Sequence, residues 1–196
     1  MKRVAVLISG RGSNLGALIA AQDANYKIIL VISNVEGAAG LDKARAAGIA
    51  TSVIPHAGKT REAFDGEMDS ALRAAGVELV VLAGFMRILS DGFVRGWEGK
   101  LINIHPSLLP AYKGTRVHER VIEAKEAVSG ASVHFVVPEL DAGPVIAQAE
   151  VQIAPCDTPE TLAARILAVE HKLYPEALAL LASGKVRLEN GLAVFS

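Results

Sequence analysis

Asn103 and His105 lie two apart at the end of the apolar run Leu101-Ile102-Asn103-Ile104-His105, and Pro106 follows at once. Side chains two apart on a strand share a face, and a proline stops the hydrogen-bond ladder. The run therefore presents an amide and an imidazole together where a strand leaves a sheet. Open α/β sheets hold their ligands at that edge. A carboxylate is available from Asp141, in the turn-rich segment Pro138-Glu139-Leu140-Asp141-Ala142-Gly143-Pro144. An amide donor, an imidazole and a carboxylate suit a reaction in which an acyl-type oxygen gathers negative charge. Taken singly, each has an ordinary role: a hydrogen-bonded histidine, a strand-end asparagine, a turn-forming aspartate.

A second candidate site is Gly10-Arg11-Gly12-Ser13-Asn14, between the first strand-like run and the first helical one. Glycines there let backbone N–H groups approach an anion, and the following helix N-terminus favours negative charge. A bare strand-to-helix turn and a dinucleotide loop compete with a monophosphate site. Glu36, after the second strand, could mimic the acidic ribose ligand of NAD proteins, but Leu15 occupies the third glycine position of the dinucleotide fingerprint. His56, His118, His134 and His171 form no HExxH or His/Cys cluster, so no metal site is expected.

These segments, read with Leu82-Ala83-Gly84-Phe85-Met86-Arg87-Ile88-Leu89, resemble the phosphoribosylglycinamide formyltransferase family over essentially the whole chain. The resemblance implies a single-domain Rossmann-like formyltransferase fold. It implies transfer of the formyl group of 10-formyltetrahydrofolate to the amine of N1-(5-phosphoribosyl)glycinamide in de novo purine (IMP) synthesis, without metal or ATP. Asn103 and protonated His105 would then stabilise the tetrahedral intermediate, with Asp141 favouring the imidazolium. By the same resemblance Gly12, Ser13, Asn14, Gly84 and Glu170 meet the ribonucleotide. Arg61, Met86, Arg87, Ile88, Leu89, Val137, Pro138, Glu139 and Leu140 meet the folate. Residues 111–116, with Gly114, would form a lid that limits hydrolysis. The chain departs from some relatives at Arg11, where they carry asparagine, and at Arg116, where they carry histidine. Methionyl-tRNA formyltransferase and formyltetrahydrofolate hydrolase share parts of the pattern but usually carry an additional domain. A silent nucleotide-binding module is the competing reading outside catalysis.

The elements that must position these residues follow from the apolar pattern. Strands are expected near 3–8, 27–33, 50–54, 78–83, 101–105, 131–137 and 145–151, with helices between them on both faces of a mostly parallel sheet. Leu15, Leu18 and Ile19 mark one helical face and Phe64, Met68 and Leu72 another, while Gly48 and Gly76 read as helix stops. The short link between the last two of these strands requires an antiparallel pair, so the sheet is mixed. Asp157-Thr158-Pro159-Glu160 opens a helix that runs to about Ser183, and a small hairpin around Asn190-Gly191 finishes the chain. The reading is one domain over 1–196, with a phosphate-binding part about 1–100 and a folate-binding, catalytic part about 101–196.

Composition narrows the partners. Twenty basic and 21 acidic residues among 196 leave a net charge of −1, which does not suit a nucleic-acid partner. No apolar stretch reaches membrane-spanning length and no targeting segment precedes the first strand, so a cytoplasmic, membrane-free protein acting on small molecules is expected. Cys156 is the only cysteine, which leaves no intramolecular disulfide. A homodimer stays open, because a pairing surface cannot be told from ordinary helix exposure.

Overall fold

Five strands lie side by side and parallel in the computed structural model, which describes residues 1–196, and the inner four of them are apolar runs. In chain order the first half comprises β1 (Lys2–Ile8), α1 (Ser13–Ala20), β2 (Tyr26–Ser33), α2 (Ala39–Ala46), β3 (Ala50–Val53), α3 (Arg61–Ala74), β4 (Leu79–Leu82) and α4 (Asp91–Gly96). The second half comprises β5 (Leu101–His105), α5 (Val117–Glu123), β6 (Val128–Phe135), β7 (Val145–Gln152), α6 (Pro159–Ala182), β8 (Val186–Glu189) and β9 (Leu192–Phe195). The main sheet has the order β3-β2-β1-β4-β5-β6-β7, parallel as far as β5 and antiparallel from β5 to β7, while β8 and β9 pair separately.

Helices cover both faces, so the central strands are apolar throughout rather than alternating. Val4, Val6 and Ile8 enter one core with α1, α2, α5 and α6, whereas Ala5 and Leu7 enter a second core with α3 and α4. Strand order reverses between β1 and β4: the chain winds outward through β2 and β3, then returns to β1's other side. A crevice opens at such a reversal, beyond the carboxyl ends of the strands. The loops after β1 and β4 flank it.

β6 and α4 depart most from the sequence expectation. β6 begins at Val128 rather than near 131, because Ser129-Gly130 resembles a turn. Gly130 is instead a close-approach position: a Cβ there would lie 2.1 Å from the Ala149 carbonyl oxygen of β7. α4 was not anticipated, since its six residues include Gly92 and Gly96, but the Ser90 hydroxyl caps it by accepting from the Phe93 N–H.

Candidate active site

The parallel pairing of β4 with β5 sets Asn103 opposite Leu82, and the antiparallel pairing with β6 sets it opposite His134. His105, one strand period on, is 5% exposed. Its Nε2 donates to the Tyr112 carbonyl at 2.9 Å, and its Nδ1 lies 3.4 Å from Asp141 Oδ2. Both ring nitrogens thus face acceptors, and only a ring carrying both protons donates to both. Asp141 reaches this point from the β6–β7 connection with a left-handed backbone (φ 48°). Gly143 allows the turn, since a Cβ there would lie 1.8 Å from the Phe135 carbonyl oxygen.

His134 completes the arrangement, and its proton can be placed. Nδ1 is 2.8 Å from the Phe135 carbonyl oxygen and must donate to it. Burial is the largest influence and pushes the His134 pKa down, against the Phe135 carbonyl and Asp141, which raise it. The neutral ring then offers Nε2 as an acceptor, and Asn103 Nδ2 lies 3.3 Å away to donate. One Asn103 N–H is thereby fixed and the other is left for a ligand.

The 111–116 loop is fastened to the same groups. The Tyr112 carbonyl holds His105 and the Gly114 N–H donates to Asp141 Oδ2 at 2.9 Å. Beneath it, the buried Ser132 hydroxyl donates to the Ser107 carbonyl at 2.6 Å and accepts from the Leu109 N–H at 3.0 Å. These bonds anchor the loop's proline-bounded entry to the sheet.

A cleft of about 630 Å³ opens in front of Asn103, His105 and Asp141. Gly84, Met86, Arg87, Ile88 and Leu89 line one side and Val137, Pro138 and Leu140 another. Met86 and Ile88, 80% and 58% exposed, leave apolar surface uncovered at the mouth. Arg87 lies over the Phe64 ring at 4.9 Å, and Phe64 stacks on Phe85. Two residues assigned to the folate slot lie outside the lining. Glu139 points to solvent and pairs with Lys113 at 3.6 Å. Arg61, in the exposed first turn of α3, borders a separate polar depression between α3 and α4. Sequence reasoning missed His118 as a cleft residue; its signal was its place at the start of the helix after the 111–116 loop.

The glycine loop has the form an anion needs. Gly12 is left-handed (φ 64°) at the N-cap of α1, and no acidic residue or side-chain cap occupies that terminus. A Cβ on Gly12 would lie 2.7 Å from Gly40 Cα, so α2 packs directly against the loop. Lys43 of α2 donates from Nζ to the Gly12 carbonyl at 3.2 Å, placing a cation beside it. Asn14 Nδ2 donates to Glu170 Oε2 at 2.7 Å, joining two residues 156 positions apart. Burial pushes the Glu170 pKa up, against the Asn14 hydrogen bond. Glu36, in contrast, is exposed beyond β2.

Comparison with known proteins bears on this geometry. The model of the formyl transferase family matches residues 2–178. The chain belongs to the formyl transferase family. The phosphoribosylglycinamide formyltransferase of Escherichia coli (strain K12) is 44% identical over 194 residues, covering 97% of this chain and 92% of that protein. The trifunctional purine biosynthetic protein adenosine-3 of Bos taurus is 54% identical over 96% of this chain, which spans only 19% of that relative's length. Among solved structures, phosphoribosylglycinamide formyltransferase from Coxiella burnetii superposes with a TM-score of 0.94 at 45% identity, covering 99% of this formyl transferase and 93% of that chain. The mixed α/β sheet is thus that of a formyl transferase. No three His, Cys, Asp or Glu side chains gather as a metal-holding group, and no helix is long and apolar enough to cross a membrane.

Proposed function

We infer that this formyl transferase moves the formyl group of 10-formyltetrahydrofolate to the amine of N1-(5-phosphoribosyl)glycinamide, a step of de novo purine synthesis. The observation that carries this reading is the convergence of Asn103, His105 and Asp141 at the wall of the partly apolar cleft. The glycine loop receives the phosphate, Glu170 the ribose and glycinamide end, and the Met86–Leu89 segment with Val137, Pro138 and Leu140 the folate.

The substrate amine attacks the formyl carbon, and its bond forms as the carbonyl π pair moves to oxygen. Asn103 donates to that oxygen through the N–H that His134 does not hold, and the His105 imidazolium supplies opposite charge and a proton. The carbon–N10 bond then breaks, N10 takes up a proton, and the attacking nitrogen releases one. Because His105 Nε2 is engaged by Tyr112, the 111–116 loop shifts before that nitrogen meets substrate. Asp141 stays beside the ring throughout.

The test is formyl transfer assayed with and without the ribonucleotide, in the unaltered protein and in Asp141→Asn. Transfer that requires the ribonucleotide and collapses in the variant is expected. Folate deformylation without the ribonucleotide would assign a hydrolase instead, and no reaction in either assay would favour a silent binder.

A further inference from the structure

Ser9 is the last residue before the glycine loop and the only point where that loop's entry is bonded to the Gly84–Leu89 segment. Its backbone N–H donates to the Gly84 carbonyl at 3.1 Å, and its hydroxyl accepts from the Met86 N–H at 2.7 Å. The hydroxyl proton goes to Asn34 Oδ1 at 2.6 Å. Asn34 is 4% exposed and is itself held by His56, whose Nδ1 lies 3.1 Å from Asn34 Nδ2. One hydroxyl at the strand-order reversal is thus anchored from β2's end while it grips the segment after β4.

Beyond these bonds both sides present exposed residues, although the Gly10 carbonyl also accepts from the Gly40 N–H at 3.0 Å. Gly10 and Arg11 are exposed, and so are Gly84 and Met86. An anion that restrains the exposed Gly10 and Arg11 therefore restrains Ser9 next to them, and a restrained Ser9 holds the Met86 amide before a folate arrives. A ligand that meets a segment already ordered loses less conformational freedom on binding and binds more tightly. Linkage makes the effect reciprocal.

We propose that Ser9 is a positioning residue that couples the two substrate loops, so that phosphate-end occupation of one tightens folate binding at the other. The proposal rests on the functional reading above. It gives Ser9 a role distinct from that of Asn103, His105 and Asp141, because it touches neither substrate's reacting atoms.

The experiment is calorimetric titration of tetrahydrofolate with and without saturating ribose 5-phosphate, which carries the phosphate but lacks the reacting amine. In the unaltered protein ribose 5-phosphate should tighten tetrahydrofolate by about fivefold or more. In Ser9→Ala that ratio should fall to about one, with Ser9→Thr restoring part of it. A merely structural serine would weaken both ligands and leave the ratio intact, which would overturn the proposal. Where Ser9→Ala does not fold, hydrogen exchange at the Met86 amide of the unaltered protein decides: ribose 5-phosphate alone should slow it, and an unchanged rate would overturn the coupling. Two ligands that bind with a ratio of one sink the coupling alone. A ligand that fails to bind at all sinks the functional reading beneath it.

Discussion

Asn103 has two amide protons, and the histidine opposite it on β6 decides what they do. With His134 Nε2 accepting one, the other is pre-aimed, which is the condition under which the oxyanion donor proposed for Asn103 would matter most. Asn103→Ala should lower kcat by on the order of 10²–10³, measured in steady-state formyl transfer. His134 also carries a pH signature. Its folded pKa is depressed below the ordinary 6.5, so unfolding lets it bind a proton as pH falls. Its contribution to stability is therefore present above about pH 6.5 and lost as pH drops through the folded value; His118, lowered mainly by burial, acts in the same direction. Urea midpoints should fall between about pH 7.5 and pH 5.5, and His134→Gln should flatten that fall. An equally steep fall in the variant would place the acid sensitivity elsewhere.

At the scale of elements, the β6–β7 turn delivers Asp141 only because Gly143 has no side chain. A methyl group there meets the Phe135 carbonyl oxygen, and a backbone atom cannot swing aside as a side chain would. Gly143→Ala should destabilise the protein by on the order of 1–3 kcal/mol, read by chemical denaturation. It should also reduce turnover beyond what the lost folded fraction explains. The strands and the Asn103–His105 pair were legible because both rest on local regularities, an apolar run and a period of two. Asp141 was legible by its motif. His134's duty was not, since it depends on the register between β5 and β6. Arg61 and Glu139 were misplaced because a motif fixes position along the chain, whereas cleft lining depends on side-chain direction. α4 was hidden by its glycines, although it supplies Val94 to the cleft.

At the scale of the molecule, one sheet reversal places the loops after β1 and β4 at a single crevice, where Met86 and Ile88 are exposed. A folate that covers them binds only the folded state. At a concentration of 100 Kd it should add about 2.7 kcal/mol, raising the melting temperature by roughly 5–11 °C for a chain of this size. A calorimetric scan with tetrahydrofolate checks this, and an unshifted midpoint would remove the folate from the cleft. The bond from His105 to Tyr112 sets a compromise between affinity and fidelity. On the proposed mechanism substrate would compete with a piece of the protein's own backbone for one proton, so observed affinity would be the intrinsic affinity multiplied by the fraction of molecules with the loop released. Loosening the loop would tighten binding while admitting water to a ready acid. On the proposed mechanism, such a design would give up some substrate capture to keep its formyl donor intact when the acceptor is scarce.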